Sequence, residues 1–148
     1  MREPEHIVTL FDKLQEGDCW AGVNMQQALQ GVTAEMALKR HAGSNCIWQL
    51  VNHLVYWRKR VMNRLQGDDT DPDIPDFFLP ENTDEASWQN TLVMFRDNYI
   101  QFRAAILRFD AGLLHEPSPK KGQTYYHVLM GCLQHDAYHM GQIILLRK

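Results

Sequence analysis

Residues 82–109, NTDEASWQNTLVMFRDNYIQFRAAILRF, set Trp88, Leu92, Phe95, Tyr99, Phe102, Ile106 and Phe109 at alternating steps of four and three. That rhythm places all seven on one stripe of an α-helix, the stripe that bundled helices bury against one another. Asn82 with Glu85 three residues later reads as a capping box, so this helix is expected to start at Asn82. Such a stripe must be covered, and the remaining chain offers helices to cover it rather than strands, because no apolar–polar alternation is sustained anywhere.

Upstream, a long helix is expected over about 45–66, capped by Ser44 and ended by Gly67, with the stripe Ile47, Leu50, Leu54, Trp57, Val61 and Leu65. Downstream, a last helix is expected from about 124 to the C-terminus. Its stripe is Tyr125, Val128, Cys132, His135, His139, Ile143 and Leu146. Near the N-terminus Pro4 suits a first helical turn, and Ile7, Leu10, Phe11 and Leu14 succeed it at helical spacing until Gly17. A second piece is expected over about 19–30, and one further turn from Thr33, as cap, to Leu38.

Four long helices imply an all-α four-helix bundle. The stretch 67–81, GDDTDPDIPDFFLPE, holds three prolines and five aspartates and cannot be helical throughout. Extended, its 15 residues reach about 50 Å, whereas a helix of 22 residues is only about 33 Å long. The link can therefore carry the chain back along the bundle. The expected order is up-down-down-up, with a long crossover between helices 2 and 3.

The chain has 148 residues, enough for one domain spanning 1–148 that buries roughly 70% of its unfolded surface. At 45% hydrophobic and 22% charged it has ordinary globular composition. A net charge of −3, a pI of about 6.1 and no basic run longer than Arg58-Lys59-Arg60 argue against nucleic acid as a partner. No stretch approaches 18 apolar residues, so no membrane span is expected, and the charged start MREPEHIVTLF does not read as a signal peptide. Cys19, Cys46 and Cys132 are odd in number and form no CxxC, which fits reduced thiols in the cytoplasm.

The last helix carries the chemistry. His135 and His139 occupy consecutive core-facing positions, and residues four apart on a helix have Cβ atoms about 5–6 Å apart. Imidazoles so placed can converge on one metal ion. A third ligand must come from another helix. His53, which flanks the stripe of the second long helix, is the candidate; His6, His41 and His115 fall in terminal or linking segments, and His127 is two turns from the pair. The competing reading is that these histidines are hydrogen-bonded core residues. A carboxylate-bridged di-iron site is set aside, since the second long helix has no acidic residue and the last has only Asp136. Asp136 and Gln142 are candidates for orienting a ligand imidazole, Tyr138 and Trp57 for lining a pocket. The aspartates of 68–76 lack the spacing of a calcium loop and read as a solvated crossover.

The final sixteen residues, LQHDAYHMGQIILLRK, resemble the last helix of the DinB/YfiT-like superfamily, whose motif is H-x3-H followed by Gly-Gln-Ile, here His135, His139 and Gly141-Gln142-Ile143. SNCIWQLVNHLVYWRKRVMNRLQG resembles that superfamily's second helix and puts His53 at its third ligand position, and WAGVNMQQALQGVTAEMALKR resembles the preceding link. Met140 stands where a basic residue is common. The resemblance implies an up-down-down-up bundle, often a homodimer, with a three-histidine site for zinc, nickel or a similar divalent ion. It also implies that some relatives are S-transferases using a low-molecular-weight thiol and others metal-dependent hydrolases. Imidazole ligands alone suit zinc, nickel, copper and iron. Three neutral imidazoles leave such an ion its full charge and an open position, where water or a thiol is acidified. Expected, then, is a metal-dependent enzyme on a small-molecule substrate, either thiol S-transferase or hydrolase. The alternatives are a non-catalytic metal-binding or stress-response module and a helical interaction protein.

Overall fold

Most positions of the stripes read from the sequence are buried in the computed structural model, which describes residues 1–148, while Trp57, Leu65, Tyr125, His135 and Leu146 are only half-buried. The chain is all-helical: α1 (Glu3–Glu16), α2 (Met25–Leu29), α3 (Ala34–Leu38), α4 (Ile47–Leu65), α5 (Glu85–Arg108) and α6 (Tyr125–Leu146), with a 3-10 turn at Ala111–Leu113. Of the four long helices, α4 packs on α5 and α6, and α1 packs on the same two. On α5 the stripe is buried as expected except at Leu92, which is only half-buried.

One end of the core is built on Trp48 and Trp88, with ring centroids 5.2 Å apart. Their indole N–H groups are satisfied internally. Trp48 donates to Thr91 Oγ1 at 2.9 Å and Trp88 to the Val32 carbonyl at 2.7 Å. The other end is built on Phe11 and Phe102, 5.0 Å apart and edge to face. Between them lies Arg58, only 1% exposed. Its guanidinium donates to Asp136 Oδ2 at 2.9 and 3.1 Å and to Gln15 Oε1 at 2.8 Å, and it sits 4.8 Å from the Phe95 ring centroid. The Arg58-Lys59-Arg60 run is thus no simple surface patch: its first member is a buried tie between α1, α4 and α6.

Several helix ends differ from expectation. The cap of α4 is Cys46, whose N–H donates to Gln49 Oε1 at 3.2 Å; Ser44 instead accepts from the His41 N–H inside the preceding turn. The cap of α5 is Asp84, which accepts from the Ser87 N–H at 2.8 Å, while Asn82 only accepts from Asp84. Glu85 is thereby freed to accept from the Ala34 N–H at 2.6 Å, tying α5 to the start of α3. The piece expected over 19–30 shrinks to α2, because Gly22 turns the chain at φ +83 and Asn24 caps a helix of only five residues. Thr33 caps α3 as expected. On α1, Val8 takes the buried place expected for Leu10, which is exposed.

The crossover is not merely solvated. Asp69 pairs with Arg64 and Arg60, Asp71 accepts from Arg60 and Tyr56, Asp76 from His53, and the Phe78 carbonyl accepts from Asn52 at 2.7 Å. As its own numbering rises, its partners on α4 fall. The segment therefore retraces α4 toward that helix's first turn, and it delivers Asp76 and Phe77 onto His53.

Candidate metal centre

His53 lies on the flank of α4 that faces α6, and His135 and His139 lie one turn apart on α6. Their rings meet. His135 Nε2 is 2.9 Å from His53 Nε2 and 3.1 Å from His139 Nε2, and one nitrogen of each ring lies within 4.8 Å of the others. Two nitrogens that share an ion at about 2.0–2.1 Å stand about 2.9–3.4 Å apart, so both short separations fit a common ion.

The neighbours fix the tautomers. His53 Nδ1–H donates to Asp76 Oδ1 at 2.6 Å, and Asp76 is itself held by the Phe77 N–H at 2.8 Å. His139 Nδ1–H donates to Gln142 Oε1 at 2.6 Å. A neutral imidazole carries one proton, so Nε2 of both rings presents a bare lone pair, and both point at His135. One proton on His135 Nε2 can serve only one of them. The other lone pair is left without a donor, a costly arrangement in a buried site. If His135 carries its proton on Nδ1 instead, three lone pairs converge. That Nδ1 is buried and has no hydrogen-bond partner, and the Asp136 Oδ1 atom 3.9 Å away is equally unpartnered. A cation at the centre resolves the conflict, so the residues present fit a divalent ion.

Burial acts in the same direction. It is the largest influence on His139, whose imidazole is held down at about 4, with the charges of His135 and His53 adding and Gln142 opposing. Burial likewise lowers His53, against the opposing pull of Asp76. Both rings stay neutral at pH 7, the form that ligates metal.

Aromatic groups frame the cluster. Phe77 stacks on His53 with centroids 3.9 Å apart and planes within 9°; its φ of +53 is a strained conformation for a bulky residue, held by its contacts. Trp57 lies 5.8 Å from His135 and Tyr138 5.0 Å from His139. A cavity of about 320 Å³ opens beside His139 and runs to the last turn of α6.

The structure brings together all three histidines expected from the sequence. Gln142 also takes the orienting position expected of it. Asp136 does not: its carboxylate is claimed by Arg58, and it makes no hydrogen bond to a histidine. Asp76 and Phe77 escape sequence reasoning, because they lie in an irregular link, Asp76 23 residues from His53. His41, expected only in a linking segment, lines the cavity. His6, His115 and His127 lie outside the cluster.

A family model described as the DinB superfamily matches residues 20–143 of the chain. The chain belongs to the DinB superfamily. The match takes in α4 and nearly all of α6, so the three histidines of this DinB-superfamily protein all fall inside it. A search of curated proteins finds no match to the chain. No helix is long and apolar enough to cross a membrane.

Proposed function

We propose that this protein is a metal-dependent enzyme acting on small molecules, with His53, His135 and His139 holding one divalent ion, zinc or nickel, and a coordination position left open for substrate. One observation carries the reading. The Nδ1 atoms of His53 and His139 are committed to Asp76 and Gln142, so two Nε2 lone pairs face a third imidazole across 2.9 and 3.1 Å. When bound, a divalent ion supplies Lewis acidity that lets a thiol or a water sharing it ionise near neutral pH.

The chain's own residues supply the rest. Asp76 and Gln142 hold two imidazoles in the ligating tautomer, Phe77 and Trp57 shield the His53 side from water, and the cavity beside His139 receives the substrate. No carboxylate or lysine lines that cavity, which leaves His41 as its one candidate general base beside the ligand His139. A thiol, more acidic than water, demands less of such a site. That favours transfer to a low-molecular-weight thiol, with hydrolysis as the second reading.

Further parts of the proposal concern the whole chain. The four long helices run up-down-down-up in one domain over 1–148. In support, Trp48 near the start of α4 meets Trp88 and Thr91 near the start of α5, and Arg58 further along meets Phe95, Tyr99 and Phe102. The protein works as a cytoplasmic homodimer without nucleic-acid or membrane partners. Three free cysteines and the net charge of −3 support the compartment and the absence of nucleic acid.

Metal analysis tests the central proposal. The parent should carry one zinc or nickel per chain, and His135→Ala and His139→Ala should each lose it. Variants that retain as much metal as the parent would end the proposal. A thiol panel of glutathione, bacillithiol and mycothiol against a reactive electrophile then separates transferase from hydrolase.

A further inference from the structure

Two of the three imidazoles have a partner for the nitrogen turned away from the centre: Asp76 for His53 and Gln142 for His139. His135 has none. Its Nδ1 is buried without a hydrogen-bond partner, and Asp136 Oδ1, 3.9 Å away, is a buried acceptor without a donor. Arg58 claims only the other carboxylate oxygen, Oδ2, at 2.9 and 3.1 Å. An ionised carboxylate has lone pairs enough to serve both neighbours. Its depth also asks for an explanation. Asp136 is fully buried and Arg58 only 1% exposed, yet a buried ion pair is often no more stabilising than well-packed apolar side chains of similar volume. Stability alone does not account for a charge in this place, one residue from His135.

We infer that Asp136 is a positioning residue of the centre: its Oδ1 accepts the Nδ1 proton of His135 and holds that imidazole in the ligating tautomer, while its Oδ2 stays with Arg58. The inference rests on the three-histidine metal reading and adds a residue to it. A proton on Nδ1 is what leaves Nε2 of His135 free to join the other two lone pairs. The present 3.9 Å is too long for a hydrogen bond, because His135 Nε2 is answering His53 and His139 instead. Relieved of them by a shared ion, the ring is free to turn its Nδ1–H to Oδ1. Arg58 also donates to Gln15 at 2.8 Å, so the same carboxylate braces the centre against α1 as well as α4 and α6.

Zinc content of the parent is measured first; a chain that takes up no zinc at the histidines overturns the metal reading itself. Zinc affinity of variants is then read by competition with a chromophoric chelator at pH 7.5, and the fold of the metal-free variants by urea denaturation. Arg58→Met with Asp136→Leu removes both buried charges together and should bind zinc at least tenfold more weakly than the parent. Asp136→Asn should lose as much. Its one amide oxygen goes to Arg58, which only donates, so its NH2 group faces the His135 proton. Parental affinity in either folded variant would make Asp136 merely the partner of Arg58, and would overturn the inference while leaving the metal site standing. The parent gives a second reading that no folding defect can mask. Nitrogen–proton correlation spectra of the zinc-loaded chain should show an imidazole Nδ1–H signal protected from exchange with water for each of His53, His135 and His139. Protected signals from His53 and His139 with none from His135 would likewise overturn the inference.

Discussion

Replacing Asp76 tests whether the crossover shapes the metal centre or merely touches it. Asp76 accepts the Nδ1 proton of His53 at 2.6 Å and is braced by the Phe77 N–H. Removing a group that orients a metal-bound imidazole typically costs 10–100-fold in metal affinity. The Asp76 side chain is 32% exposed, so water can enter and replace part of the bond. Asp76→Ala should therefore fall near the lower end, about tenfold weaker zinc binding, or about 1.4 kcal/mol. Asn keeps a neutral acceptor and loses only the charge, so Asp76→Asn should cost about threefold. Competition titration against a chromophoric zinc chelator at pH 7.5 reads both values, and urea melts of the metal-free variants check that the fold is intact. Parental affinity in Asp76→Ala, or an Asn variant weaker than the Ala variant, would show that the crossover does not orient His53.

Other predictions concern the core and the protons. Arg58→Met leaves the fully buried Asp136 carboxylate without its partner and should destabilise by about 3–5 kcal/mol; Arg58→Met with Asp136→Leu should recover most of that in urea denaturation. In the metal-free protein, His139 titrates at about 4 when folded against about 6.5 when unfolded. Between those values the unfolded chain binds more protons, so stability falls as pH drops through that window. The thermal midpoint should be lower at pH 5 than at pH 7, with a shallower slope in His139→Gln. Burial and the neighbouring Asp136 charge push the Cys132 thiol well above its ordinary range, and Cys46 is also buried. A disulfide reagent should thus label half-buried Cys19 rapidly and the other two only on unfolding; prompt labelling of three thiols would contradict the packing.

The helical rhythm made the large elements and the two histidines of α6 readable, because each depends on neighbours within a few residues. Caps were less readable. Ser44 and Asn82 are good capping types, yet Cys46 and Asp84 begin the helices, and the bonds from Cys46 to Gln49 and from Ala34 to Glu85 accompany that choice. In the sequence Arg58 is only the first member of a short basic run, and a guanidinium is seldom buried. Its place is set by Asp136 and Gln15 on two other helices, which no local pattern reveals. Asp76 is hidden for the same reason. Its role exists only once the crossover has folded back along α4, and an aspartate among five in a proline-rich link has nothing local to distinguish it. Gln142 was legible because it sits on the same helix as its partner, three residues on.

Whether three imidazoles from two helices share one ion is decided by anomalous diffraction from crystals of the zinc-loaded protein, recorded at the zinc edge. A single strong peak per chain is expected, about 2.0–2.2 Å from Nε2 of His53, His135 and His139 together. A peak that leaves out His53, or one at the carboxylates of the crossover instead, would contradict the shared site.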